Sequence, residues 1–220
     1  MCDSFRDSIS LIAGFIEENA SGPARTIVAV AGPPGSGKST LAEGVVAALN
    51  RDVPGKAVLL PMDGFHLDNE ELVEKGLLER KGAPETFDVR ALNDLLEKVR
   101  KAEKDVSYPV FDRKQDKTIA NASSVPAGTR IVVVEGNYLL LDRPPWNGLH
   151  GYFDATVFLN PGMGILERRL VDRWLAHGHT LEEARKRALQ NDMVNARCVV
   201  EHSMVADLTL GTPPRAAVTA

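Results

Sequence analysis

Eight residues near the start of the chain, Gly32-Pro-Pro-Gly35-Ser36-Gly37-Lys38-Ser39, restrict the folds open to it. They follow Thr26–Ala31, a short β-branched apolar run that reads as a buried strand. They precede a predicted helix from about Ser39 to Asn50, with Leu41, Val45 and Leu49 on one face. Glycines at 32, 35 and 37 let the backbone take unusual φ angles and keep side chains out of the turn. Its N–H groups then point inward and, with the positive end of the following helix, form a nest for anions. A strand, a tight glycine turn and a helix in that order predict α/β architecture.

The rest of the chain keeps that alternation. Further strands are predicted at Ala57–Pro61, Val106–Phe111, Ile131–Val134, Asp154–Leu159 and Ala206–Leu210. Phe5, Ile9, Ile12 and Ile16 are spaced four, three and four apart, which predicts a helix over 3–19. Asp88 reads as the N-cap of a helix bearing Leu92, Leu95, Leu96 and Val99. A long helix is expected from about Gly164 to Ala176, stopped by Gly178, and Thr180-Leu-Glu-Glu183 is a capping box opening the next. Residues 66–87 read as polar and irregular, and Pro126–Thr129 as a turn. The strands are continuous apolar runs, as in a parallel sheet covered on both faces. Ligands bind such sheets at the carboxyl ends of the strands.

Composition narrows the function. The 220 residues, 44% apolar and 25% charged, suit one globular domain spanning 1–220. A net charge of −4 argues against a nucleic-acid partner. Two cysteines, Cys2 and Cys198, make no disulfide framework and fit a reducing, cytoplasmic setting. Asp3 and Asp7 stand where a secretory leader would be positive, and no apolar run is long enough for a membrane span.

The chemistry-bearing residues follow the strands. The glycine-rich segment is a full P-loop pattern, so Gly32, Pro33, Pro34, Gly35, Ser36, Gly37, Lys38, Ser39 and Thr40 are expected to cradle the phosphates of ATP. Lys38 supplies charge to the β and γ phosphates, and the Ser39 hydroxyl is a ligand for Mg²⁺. Glu135 ends the most β-rich run and is the second candidate at the metal, its Glu arm being longer than the usual Asp. Asp63 ends another buried strand. It reads either as the base that accepts a proton from an acceptor hydroxyl or as a turn former before Gly64. Arg169 and Arg173, four apart, share a helix face that reads either as a phosphate clamp or as a solvated basic stripe. The histidines at 66, 150, 177, 179 and 202 show no zinc-ligand spacing.

Several segments together resemble one family. Beside the P-loop they are Met62-Asp-Gly-Phe-His66, Gly82-Ala-Pro-Glu-Thr-Phe-Asp88, Tyr108-Pro-Val-Phe-Asp-Arg113, Val134-Glu-Gly-Asn-Tyr-Leu-Leu140 and Arg169-Leu-Val-Asp-Arg173 through Asn195. In order over about 26–210, they resemble the uridine kinase, phosphoribulokinase and pantothenate kinase family, closest to bacterial fructose-transport-system kinases. The resemblance implies a P-loop NTPase three-layer α/β/α sandwich with a mostly parallel five-stranded sheet and a helical lid over 163–195. It implies transfer of the γ-phosphoryl group of Mg-ATP to a small-molecule hydroxyl. Lys38, Asp63 and Arg173 would be catalytic, with Arg169 and Arg173 in the lid, and His66, Arg113, Tyr138 and Asn195 at the acceptor. Gly64-Phe65-His66 departs from the Ser-Phe-Tyr-like stretch of uridine kinases and favours a sugar over a nucleoside, with pantothenate a third acceptor. A GTPase switch would need Asn-Lys-x-Asp, and Arg113-Lys-Gln-Asp116 has the wrong first residue. A regulatory ATPase would need a larger chain or a basic face. No membrane partner is expected, and a homodimer is left open.

Overall fold

The computed structural model describes residues 5–211, so Cys2 and the predicted start of the first helix at 3 and 4 lie outside the described residues. The chain runs α1 (Phe5–Asn19), β1 (Thr26–Ala31), α2 (Lys38–Leu49), β2 (Ala57–Pro61), α3 (Asn69–Glu74) and α4 (Val89–Lys101). There follow β3 (Val106–Asp112), β4 (Lys117–Val125), β5 (Ile131–Gly136) and β6 (Ala155–Asn160). Then come α5 (Met163–Ala176), α6 (Leu181–Arg187), α7 (Met193–His202) and β7 (Leu208–Gly211). A 3-10 turn, Met62–Phe65, follows β2, and a π-helical turn, Ala188–Asp192, joins α6 to α7.

Five strands form one sheet in the order β2-β5-β1-β6-β7, every pair parallel. Period-two alternation splits β1 between the two faces. Ile27, Ala29 and Ala31 pack into a core with Leu92, Leu96 and Val99 of α4. Val28 and Val30 pack with Ile12 and Ile16 of α1 and Leu41 and Val45 of α2. Each buried Ile, Leu or Val side chain is worth about 1.5–3 kcal/mol, so both layers are held firmly. A third, smaller core joins Leu166 and Leu170 of α5 to Ala188, Met193 and Ala196. That cluster covers the helices α5 to α7, where the lid over 163–195 was expected.

The register positions the chemistry. Val30 of β1 and Pro61 of β2 both lie beside Glu135 of β5. The P-loop leaves β1 two residues after Val30, and Asp63 stands two residues after Pro61. Three chain reversals therefore open at one level of the carboxyl edge.

The expected five-stranded sheet is present and wholly parallel, and the structure adds two elements to the expected fold. An antiparallel pairing sits apart in a two-stranded ribbon of β3 and β4. No strand was expected between Phe111 and Ile131. In β4 only Val125 is buried, so the sequence carries no apolar alternation to announce it. Within the irregular stretch 66–87, α3 forms a six-residue helix that buries only Leu72, too little to give a period.

The ribbon leans directly on the turn that carries Asp63. A Cβ built on Gly64 would lie 2.0 Å from the Pro109 carbonyl oxygen of β3. Only a glycine lets the two backbones approach so closely. Gly64→Ala must therefore push the ribbon off the turn. Overpacking of this kind costs roughly 1–3 kcal/mol, and at about 2–4 °C per kcal/mol the melting temperature should fall by several degrees. An unchanged melting curve would show that the ribbon does not bear on the turn.

Candidate active site

The P-loop is held from two sides. Gly35 and Gly37 take φ of 79° and 90°, left-handed values that favour glycine. A Cβ on Gly32 would lie 2.6 Å from the Leu159 carbonyl oxygen, so the loop entry is pressed against β6. A Cβ on Gly35 would lie 3.1 Å from Cγ of Leu170, which brings α5 onto the loop. Pro33, Pro34 and Ser36 are buried, Lys38 and Ser39 half-buried, and Thr40 exposed. Arg169 crosses over the loop, its Nη1 donating to the carbonyl oxygens of Ser36 at 2.9 Å and Gly35 at 3.2 Å.

Behind the loop, Ser39 Oγ donates to Glu135 Oε2 at 3.2 Å. Glu135 is buried, and burial pushes its carboxyl group above the ordinary range, with the nearby Lys38 charge pulling the other way. Ser39 and Glu135 thus present hard oxygen donors beside a buried charge that a divalent cation would neutralise. That donor set fits Mg²⁺, which takes one or two protein oxygens and completes its shell with water and phosphate. Among the described residues no group of three or more His, Cys, Asp or Glu is arranged to hold a metal by itself.

Asp63 sits at the rim, its Oδ2 accepting from Arg113 Nη2 at 2.9 Å. Arg113 comes from the turn of the ribbon, fifty residues away in sequence. The Asp63 carbonyl oxygen lies 2.8 Å from His66 Nδ1. A carbonyl only accepts, so Nδ1 carries the proton and Nε2 keeps a lone pair. Burial lowers the His66 pKa, which favours this neutral form. The imidazole packs against Phe87, centroids 4.1 Å apart, and Phe111, 4.7 Å apart.

The other expected acceptor and lid residues lie deeper or elsewhere. Tyr138 is fully buried, its hydroxyl donates to the Gly82 carbonyl at 2.5 Å, and burial holds its pKa well above the usual value. Asn195 is also buried, its amide nitrogen 3.4 Å from Asn191 Oδ1. Arg173 does not reach the P-loop. Its Nη2 donates to Asp192 Oδ2 at 2.9 Å, and the Trp174 indole donates to the same oxygen at 2.7 Å. The structure therefore gathers Lys38, Ser39, Glu135, Asp63, Arg113 and His66 at one edge and ties Arg173 to Asp192.

A second set of polar residues, not expected from the sequence, stands beside the edge. Lys81 Nζ bonds Asn69 Oδ1 at 2.6 Å and Asp116 Oδ1 at 2.9 Å, and lies 5.0 Å from the centre of the Phe111 ring. Arg80 pairs with Glu85 and donates to Asn191. The one available signal was position, since Arg80 and Lys81 directly precede the segment Gly82–Asp88.

The Phosphoribulokinase / Uridine kinase family model matches residues 27–218. The chain belongs to that family. It is a P-loop small-molecule kinase, and membership implies ATP as the phosphoryl donor. A solved structure from Silicibacter sp., provisionally named a fructose transport system kinase, is 43% identical with a TM-score of 0.86, covering 92% of this chain and 98% of that one. The uncharacterized protein YggC of Escherichia coli (strain K12) is 38% identical over 185 residues, 84% of this chain and 76% of that protein. A Schizosaccharomyces pombe protein provisionally named a uridine kinase is 34% identical over 194 residues, 84% and 83% of the two chains. Among the described residues no helix is long and apolar enough to cross a membrane.

Glu135 offers a test of the edge that needs no substrate. Its folded pKa lies above the unfolded one, so between the two values the folded state binds the extra proton. Stability conferred by protonation is thus lost as pH rises through that window. Glu135→Gln should raise the melting temperature of the nucleotide-free protein near pH 8, with the gain vanishing towards the ordinary Glu value of about pH 4. Equal melting of variant and parent at both pH values would place Glu135 in a solvated or fully paired setting.

Proposed function

We propose that this kinase transfers the γ-phosphoryl group of Mg-ATP to a hydroxyl of an uncharged sugar, with fructose or a related ketose first in line. The observation that carries the reading is the use of the aromatic surface. A nucleoside site needs a flat ring face for its base, and here Phe87 and Phe111 both pack on His66. What His66 offers in exchange is an Nε2 lone pair, suited to accept from a hydroxyl. Asn137 Oδ1 and Asn195 Oδ1 are buried and lack a hydrogen-bond partner among the described residues. Such oxygens suit hydroxyl donors, because an unpaired buried acceptor carries a desolvation cost of about 1–3 kcal/mol.

Charge argues for a neutral acceptor. Arg113 is paired with Asp63, Lys81 with Asp116 and Arg80 with Glu85. An acceptor with its own carboxylate or phosphate would find each of these cations already matched. This weighs against pantothenate. The name of the Silicibacter relative points to the same acceptor as the chemistry.

In the proposed reaction Asp63 takes the proton of the acceptor hydroxyl. The oxygen bonds to the γ-phosphorus, the bond from that phosphorus to the β,γ-bridging oxygen breaks, and ADP leaves. Lys38 and the P-loop N–H groups hold the phosphates in line. Arg169 stands nearest to them in the lid, and Arg173 reaches them only by leaving Asp192. Mg²⁺, held through Ser39 and Glu135, would supply charge neutralisation of the phosphates. Arg113 orients the Asp63 carboxylate and, with its side chain 70% exposed, is free to swing aside as the acceptor enters.

The test compares kcat/KM for fructose, other ketoses and aldoses, uridine, cytidine and pantothenate at fixed Mg-ATP. Fructose or another sugar should lead by at least tenfold, about 1.4 kcal/mol of transition-state discrimination. If uridine or pantothenate leads by that margin, the sugar is the wrong acceptor and the kinase chemistry stands.

A further inference from the structure

Two successive residues close the π-helical turn Ala188–Asp192, and their side chains bond different parts of the chain. Asp192 faces the lid helix α5 and takes both Arg173 and the Trp174 indole on one carboxylate oxygen. Asn191 faces the other way, towards the loop before Gly82. Its Nδ2 donates to the Lys81 carbonyl at 3.0 Å, and its Oδ1 accepts from Arg80 Nη1 at 3.2 Å. Single-turn π segments inside α-helical stretches are frequent at functional sites.

Lys81 continues the line. Its ammonium group is held by Asn69 and Asp116 and stands over the Phe111 ring. Asp116 and Phe111 belong to the ribbon and its turn, and that turn also carries Arg113, which binds Asp63. At the other end, α5 presents Arg169 to the P-loop carbonyl oxygens. The contacts therefore run from the phosphate cradle through α5, Asp192, Asn191, Lys81 and the ribbon to the base. Tyr138 braces the same loop from below by bonding Gly82.

We propose that Asn191 is a positioning residue that transmits nucleotide occupancy of the P-loop to the acceptor side. It rests on the kinase reading, since a nucleotide must be what moves the lid. Phosphates in the cradle attract Arg169 away from the loop carbonyl oxygens, and α5 shifts with it. Asp192 follows α5 through its two bonds, and Asn191 follows Asp192 because they are adjacent. The loop at Arg80-Lys81 is then pulled with the lid, and Lys81 carries the ribbon turn over the acceptor. Coupling of this kind is reciprocal, so an acceptor that orders the loop would also favour the closed lid.

Hydrogen exchange on the whole protein tests this without any acceptor. The probe is a non-hydrolysable ATP analogue with Mg²⁺. In the unaltered protein the analogue should slow exchange in the P-loop, in the lid over 163–195 and in the loop over 77–88. The loop effect should be at least about fivefold, the lower end for coupled sites. Asn191→Ala should keep protection of the P-loop and lid and lose that of the loop. Arg80→Gln, altered at a residue with an exposed edge, should show the same split and guards against a misfolded first variant. If the loop stays equally protected in both variants, or is never protected in the unaltered protein, the proposal is overturned. A missing effect at the P-loop itself would instead strike at the nucleotide reading, so the two failures are told apart.

Discussion

In a parallel sheet all carboxyl ends face one way, and the level at which each strand stops decides which residues can meet. Here β5 and β1 stop level and β2 one residue short of them, with Pro61 and Val30 on either side of Glu135. The P-loop, the Glu135 carboxylate and the Asp63 turn all hang from that alignment. A shift of one residue would turn every side chain of a strand to the opposite face and separate the site. Burial on both faces is what prevents the shift, since β1 and β5 have no exposed residue along their lengths. The apolar cores are thus the reason Ser39 and Glu135 stand within hydrogen-bond distance.

Charge is arranged around this edge with a consistent logic. The buried Glu135 carries the desolvation, in a place where a cation and phosphates would relieve it. Two of the more exposed cations are matched with carboxylates from distant parts of the chain. Pairs such as Arg113 with Asp63 and Lys81 with Asp116 join the ribbon to the rest of the site. Partly exposed pairs contribute little to stability, typically about 0–1 kcal/mol. Their value is in geometry.

Much of the fold was legible because it rests on local rules. The Asp88 side chain caps α4 by accepting from Ala91, and Thr180 with Glu183 forms the expected capping box. The buried strands were plain as apolar runs. What escaped was whatever depends on contacts across the chain. β4 buries only Val125 and shows no apolar alternation; it exists because β3 pairs with it. The π turn has no residue signature, and the bond from Arg173 to Asp192 spans nineteen positions on different helices. In the candidate site, the residues at the strand ends could be named in advance, and the structure brings Ser39, Glu135 and Asp63 to one edge, since the topology dictates their place. Lys81, Asp116 and Asn191 could not be named so, because a lysine in a loop has the same sequence appearance whether it meets solvent or a carboxylate.

The fate of the γ-phosphoryl group is the most direct measure of this account. The protein would be incubated with γ-labelled Mg-ATP and fructose, and the label traced among ATP, inorganic phosphate and the sugar. The account predicts that the label moves to a sugar hydroxyl, one phosphoryl group for each ADP formed, with little free phosphate. Label that accumulates only as inorganic phosphate, at a rate indifferent to fructose and to any other hydroxyl acceptor, would contradict it.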